Sequence, residues 1–115
     1  MTLDGKALVA IVRKEPAFER IVEALAEDEN PRVAATALAE AAIILTARGE
    51  SMADVVVQII VDRFRLTIAP FTKEHWKGAV REYEKRLKSG GVARPVFGQC
   101  LSAAVAAKLG APLVE

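Results

Sequence analysis

One stretch decides the fold class: Phe97-Gly-Gln-Cys-Leu-Ser-Ala-Ala-Val-Ala-Ala-Lys-Leu-Gly-Ala-Pro-Leu-Val114. Its alanine-rich part predicts a helix over residues 97–109, which Gly110 closes because glycine readily adopts the left-handed conformation that ends helices. Pro112 and the apolar residues after it then start a strand. Helices that lead directly into strands are typical of α/β folds.

The same alternation of helical and strand patterns runs through the rest of the chain. Strands are predicted at residues 1–4, 32–35, 63–68 and 112–114. Helical stripes lie between them, and Thr36 and Ser51 are expected to cap two of these helices through their hydroxyl groups. Strands that alternate with helices pair in parallel. We therefore expect a three-layer α/β/α sandwich with a short, mostly parallel sheet of about four strands.

Composition narrows the class of protein. The chain has 115 residues, which predicts one domain over 1–115, and its 16 Lys and Arg against 15 Asp and Glu give a net charge of +1. That balance argues against a broad basic surface for nucleic acid. Cys100 is the single cysteine, which favours a reducing cytoplasm. The longest uncharged run, residues 95–107, is too short to span a bilayer, so no membrane association is expected.

Two acidic residues are candidates for a functional site. Asp4 closes the first predicted strand and precedes a helix, so its carboxylate either caps that helix or acts as a metal-binding or catalytic acid. Glu40 is the only charged residue between Val33 and Ala47. It either faces water from a mostly buried helix or belongs to a site, because a buried glutamate needs a partner. Functional crevices of parallel sheets lie at the carboxyl ends of the strands.

Other chemistry-bearing residues form no recognisable constellation. His75 has no second histidine or cysteine at ligand spacing, and Cys100 and Ser102 have no placed histidine or aspartate partner. The stripe that contains Trp76 and Tyr83 is typical of a core or a subunit interface rather than of a platform for stacked bases.

Several stretches together resemble the PIN domain, and specifically the VapC toxins of bacterial toxin–antitoxin pairs. The resemblance covers essentially the whole chain. It rests on the stretches Leu3–Ile11, Glu15–Arg20, Thr36–Ile44, Arg81–Tyr83 and Phe97–Leu113.

The resemblance implies cleavage of RNA with Mg²⁺ or Mn²⁺, which acidic residues hold at the carboxyl edge of the sheet. Position by position, Asp4 matches the first acid of the family and Glu40 the second. Gln99 stands where the third acid is expected, Lys6 stands where a small hydroxyl residue is expected, and the fourth acid would fall after Val114. We therefore expect the single domain to lack the C-terminal segment of the family pattern.

These departures lead to the expectation of a degraded metal site with little or no ribonuclease activity. We expect no bound divalent metal, and we expect the ammonium group of Lys6 near one or both of the carboxylates of Asp4 and Glu40. The alternative is a non-catalytic engineered or designed scaffold built on the PIN-like fold, and an active enzyme with an unusual site is a third hypothesis.

The resemblance also implies partners, namely a homodimer and an antitoxin peptide bound in a helical groove. The apolar faces of residues 18–25 and 52–60 are candidates for either contact, or for the core. RNA is expected to bind only weakly, if at all.

Overall fold

The computed structural model describes residues 1–89 and 96–114. Its centre is a four-stranded sheet in the order β3-β2-β1-β4, and each neighbouring pair is parallel. The strands are β1 (Thr2–Leu3), β2 (Arg32–Ala34), β3 (Thr67–Ala69) and β4 (Leu113–Val114). The predicted α/β class with a short parallel sheet is therefore confirmed.

Within the described residues, six helices pack around this sheet. They are α1 (Gly5–Arg13), α2 (Phe18–Glu27), α3 (Ala35–Ala47), α4 (Ala53–Arg63), α5 (Trp76–Lys88) and α6 (Phe97–Leu109). α1 packs against α2, α3 and α4, whereas α5 packs chiefly against α6, which itself contacts β1, β2 and β4. None of the helices among the described residues is long and apolar enough to cross a membrane.

The core lies where α1, α3 and α6 meet the two central strands. Leu3, Leu8, Val33 and Leu45 are fully buried there. Small side chains on α3 and α6 let the helix backbones come close to the sheet, which explains the high alanine content. Because α1 and α3 begin directly after β1 and β2, their first turns lie at the carboxyl edge of the sheet.

Two predicted helix caps are wrong. α3 starts at Ala35 with Ala34 as its N-cap, since the chain passes from β2 into the helix without an intervening turn. The hydroxyl of Thr36 is consequently buried inside the first turn and does not cap it. Met52, in a left-handed conformation, takes the cap position of α4 instead of Ser51.

The predicted strand over residues 63–68 is shifted. α4 continues to Arg63, and the left-handed backbone of Arg65 turns the chain before β3 begins at Thr67. The alternating pattern arose because the last turn of an amphipathic helix and the following turn place Phe64 and Leu66 inward, as a strand would.

The stripe that contains Trp76 and Tyr83 does not belong to the core. Ala79 is the buried residue of α5, while Trp76, Val80, Tyr83 and Leu87 are exposed. Of the two interpretations of this stripe, the core interpretation is therefore wrong.

Candidate active site

Asp4 lies between β1 and α1 and is fully buried. Its Oδ1 accepts a hydrogen bond of 2.8 Å from the amide of Ala7, so the side chain is the N-cap of α1. The capping interpretation of Asp4 is thus confirmed. It does not exclude a role in a site, because Asp4 has a second carboxylate oxygen at the carboxyl edge of the sheet.

Gln99 reaches that second oxygen from the first turn of α6. Its Nε2 donates to Oδ2 of Asp4 over 3.4 Å. An amide nitrogen thus faces the carboxylate on the side where the resemblance calls for a third acid. The structure brings Asp4 and Gln99 together across 95 residues of sequence.

Glu40 projects from α3 into the same region, where two glycines surround its carboxylate. A Cβ atom added at Gly5 would overlap Oε1 of Glu40, and one added at Gly98 would overlap Oε2. Both glycines stand beside predicted site residues, Gly5 after Asp4 and Gly98 before Gln99. The sequence analysis missed their role because the contact joins three helices that are distant along the chain.

Burial is the main influence on Glu40 and raises the pKa of its carboxyl above the ordinary 4.5, and the charge of Asp4 raises that pKa further. The backbone amide of Gly5 and the charge of Lys6 act in the opposite direction. Oε1 is buried and makes no hydrogen bond with the described residues. Glu40 is therefore a half-buried acid that favours the protonated form more than an exposed glutamate does.

Lys6 does not form the predicted bridge. Its side chain is exposed, and the ion pairs found within residues 1–89 and 96–114 do not include it. The first turn of α1 points this side chain to solvent, so its charge acts on Glu40 only through space. A salt bridge from Lys6 to the two acids is therefore not formed, whereas a charge of Lys6 near one of them agrees with its effect on the pKa of Glu40.

The remaining candidate residues stay outside this group. His75 uses its Nδ1 to accept a hydrogen bond from the Thr72 amide near the start of α5. Ser102 is fully buried on α6, and its Oγ has no hydrogen-bond partner in the described part of the chain. No arrangement of nucleophile and base emerges from these residues.

Comparison with known proteins places this geometry in a family. A family model described as PIN domain matches residues 1–115. The chain belongs to the PIN domain family. Two curated relatives, a VapC ribonuclease of Mycobacterium bovis and ribonuclease VapC36 of Mycobacterium tuberculosis, are each 32% identical over 107 residues. That alignment covers 92% of this PIN domain and 77% of each relative, so the chain is of the VapC type.

Solved structures agree on the fold. The crystal structure of VapC20 of Mycobacterium tuberculosis, described as a toxin that cleaves the sarcin–ricin loop, matches with a TM-score of 0.68 at 16% identity. The match covers 96% of this chain and 83% of the VapC20 chain. VapBC2 of Rickettsia felis, bound to a DNA fragment from its promoter, matches with a TM-score of 0.66 at 22% identity, over 99% and 84% of the two chains.

Among the described residues, this PIN domain offers a divalent cation two neighbouring carboxylates, those of Asp4 and Glu40. Mg²⁺ prefers six oxygen ligands in nearly octahedral geometry, and proteins commonly supply one or two carboxylates while water fills the other positions. Within the described residues, no three His, Cys, Asp or Glu side chains gather in one place. Asp4 and Glu40 are two acids, and the Gln99 amide presents a hydrogen-bond donor to Asp4 rather than an oxygen to a metal. A cation at Oδ2 of Asp4 would therefore share this oxygen with an N–H donor.

Proposed function

We propose that this chain is a VapC-type PIN domain in which metal-dependent cleavage of RNA is weak or absent. The observation that carries this proposal is the hydrogen bond from Gln99 to Asp4. In the family resemblance, carboxylates hold Mg²⁺ or Mn²⁺, and the bound ion activates water and stabilises the charge of the phosphoryl group.

The electrostatics of the pair support the proposal. A carboxylate in place of Gln99 would add a third negative charge, whereas the amide adds none. The raised pKa of Glu40 also means that a cation would compete with a proton for this carboxylate. Each missing or protonated acid weakens the attraction for a divalent ion, and this loss is largest in a partly buried cleft.

Partners belong to the same proposal. The structural neighbour VapBC2, taken together with the resemblance to the toxins of toxin–antitoxin pairs, supports an antitoxin peptide as a partner of this chain. The candidate face on α2 buries Ile21 and Leu25 in the core, whereas α4 leaves Val55 and Ile59 exposed, so we assign the peptide to α4. We further propose a homodimer, and only weak binding of RNA at the site.

The alternative of a non-catalytic scaffold rests on the same site. It differs in one respect, because a scaffold requires no residual cleavage, whereas a degraded enzyme retains a slow reaction that Mg²⁺ or Mn²⁺ accelerates. Removal of the acids by natural decay and removal by engineering would leave the same Gln99–Asp4 contact.

Incubation of the purified chain with structured and with single-stranded RNA tests the proposal. The reactions contain Mg²⁺, Mn²⁺ or EDTA, and are repeated with Asp4→Ala and with Glu19→Ala, a matched control on the exposed face of α2. We expect little or no cleavage that depends on metal. Robust cleavage that EDTA and Asp4→Ala abolish, but Glu19→Ala does not, would overturn the proposal.

A further inference from the structure

The exposed face of α5 carries a continuous apolar seam. Trp76, Val80, Tyr83 and Leu87 are 53%, 49%, 44% and 58% exposed, respectively. Soluble proteins rarely leave a contiguous apolar patch of this kind in water. Phe97, 75% exposed at the start of α6, widens the seam, and together with Leu101 it borders a groove of about 470 Å³ beside Trp76 and Tyr83.

The seam is symmetric along the helix. Its four residues follow one another at intervals of four, three and four, which is the spacing of the buried positions in a two-helix coiled coil. This sequence of intervals is the same in both directions. A second copy of α5 that runs antiparallel would therefore place Trp76 opposite Leu87 of the partner subunit, and Val80 opposite Tyr83 of the partner subunit. Such self-complementarity is what a two-fold interface requires.

Charges beside the seam match the antiparallel arrangement. Lys77 and Glu84 are seven residues apart, so they lie on the same flank of α5. A two-fold axis between Val80 and Tyr83 brings Lys77 to within about 3 Å, measured along the helix axis, of the level of Glu84 of the partner subunit. By the same symmetry, Glu84 comes equally close to the level of Lys77 of the partner subunit, so the arrangement contains two such pairs. Both side chains are exposed, and neither takes part in the ion pairs found among the described residues.

A parallel arrangement lacks this match. It would turn the flank that carries Lys77 and Glu84 toward the opposite flank of the partner helix. That flank holds the buried Ala79 and the side chain of Arg86, which is already paired with Glu82 over 3.1 Å.

We propose that a second copy of this chain binds the seam, with the two α5 helices antiparallel and two Lys77–Glu84 ion pairs across the axis. The seam is thus the surface of the homodimer proposed above. The proposal rests on that homodimer and not on the loss of RNA cleavage, since α5 contributes nothing to the Asp4–Gln99 site.

Sedimentation equilibrium of the full chain over a wide concentration range tests the interface. The variants are Lys77→Glu, Glu84→Lys, the double exchange, Val80→Asp, and Lys85→Glu as a control of equal charge change that points away from the seam. We expect each single exchange to raise the dimer Kd at least about fivefold, because every substitution acts twice by symmetry. The double exchange should restore the Kd, and Lys85→Glu should leave it nearly unchanged.

Val80→Asp should abolish the dimer while circular dichroism stays unchanged, because Val80 is exposed in the single chain. A parent chain that stays monomeric at every concentration would overturn both the homodimer and the seam. A dimer that tolerates Val80→Asp would leave the homodimer standing and overturn the seam. Failure of the double exchange to restore the Kd would overturn the antiparallel arrangement.

Discussion

Nε2 of Gln99 donates a hydrogen bond to Oδ2 of Asp4 over 3.4 Å, and these two residues are 95 positions apart in the sequence. Asp4 is thereby bound on both oxygens, since its Oδ1 caps α1 through the amide of Ala7. Both N–H donors stabilise the ionised form of this carboxylate. Under the function proposed above, this contact favours the carboxyl edge of the sheet without a metal.

Restoring the missing charge should reverse this balance. The double substitution Gln99→Asp with Lys6→Ser places a third carboxylate beside Asp4 and Glu40 and removes the nearby positive charge. Without metal, the variant should unfold at a lower temperature than the parent chain, because like charges converge. Added Mg²⁺ should raise its unfolding temperature, since a ligand that binds the native state stabilises it.

Thermal unfolding with and without Mg²⁺ measures both effects. Lys6→Ser alone is the control, and it should respond to Mg²⁺ as little as the parent chain does. An unfolding temperature of the double variant that Mg²⁺ leaves unchanged would contradict this account of Gln99.

Glu40 should make stability depend on pH. Because its pKa is raised in the folded chain above the ordinary 4.5, the folded state binds the proton more tightly than the unfolded state. The stabilisation is complete below pH 4.5 and is lost as the pH rises through the folded value. Glu40→Gln stays neutral and escapes this loss. The stability of Glu40→Gln relative to the parent should therefore be greater at neutral pH than below pH 4.5.

Chemical denaturation at several pH values tests this expectation, with Glu19→Gln on exposed α2 as the matched control. The unfolding free energy of Glu40→Gln minus that of the parent should increase from acidic to neutral pH. The control should show no such trend. A difference that shrinks toward neutral pH would mean that burial does not govern Glu40.

The glycines around Glu40 should differ from other helical glycines. Gly78→Ala in α5 should stabilise the chain by about 0.5–1 kcal/mol, because alanine is the better helix former, and the added Cβ would lie an ordinary 3.6 Å from the side chain of Ala104. Gly98→Ala should bring no such gain, because its Cβ would overlap the Glu40 carboxylate.

A double-mutant cycle with Glu40→Ala isolates this contact. In the Glu40→Ala background, Gly98→Ala should become stabilising. Gly78→Ala should stabilise both the parent chain and the Glu40→Ala variant. Equal effects of Gly98→Ala with and without the Glu40 side chain, measured by urea unfolding, would show that the two residues do not interact.

The sequence predicted the fold class because helix and strand patterns alternate strongly, and it located Asp4 because an acid between a strand and a helix is a local signal. It misplaced local boundaries where tertiary packing overrides them. The hydroxyl of Thr36 was expected to cap α3, but the direct passage from β2 into the helix buries it. The left-handed backbone of Arg65, which sets the start of β3, has no signature in a non-glycine residue.

The geometry of the site was less accessible to sequence reasoning. The resemblance placed Gln99 at a site position, but its hydrogen bond to Asp4 depends on how α6 packs beside β1. The enclosure of Glu40 by Gly5 and Gly98 depends on three helices meeting at one edge of the sheet. The spacing of residues along the chain does not reveal that these three helices come together.

Calorimetric titration of the unmodified chain with Mg²⁺ tests the central claim most directly, namely that Asp4, Glu40 and Gln99 do not form an effective metal site. Heats indistinguishable from dilution up to millimolar Mg²⁺ are the predicted result. Tight binding of one Mg²⁺ per chain, lost in Asp4→Ala, would contradict the account.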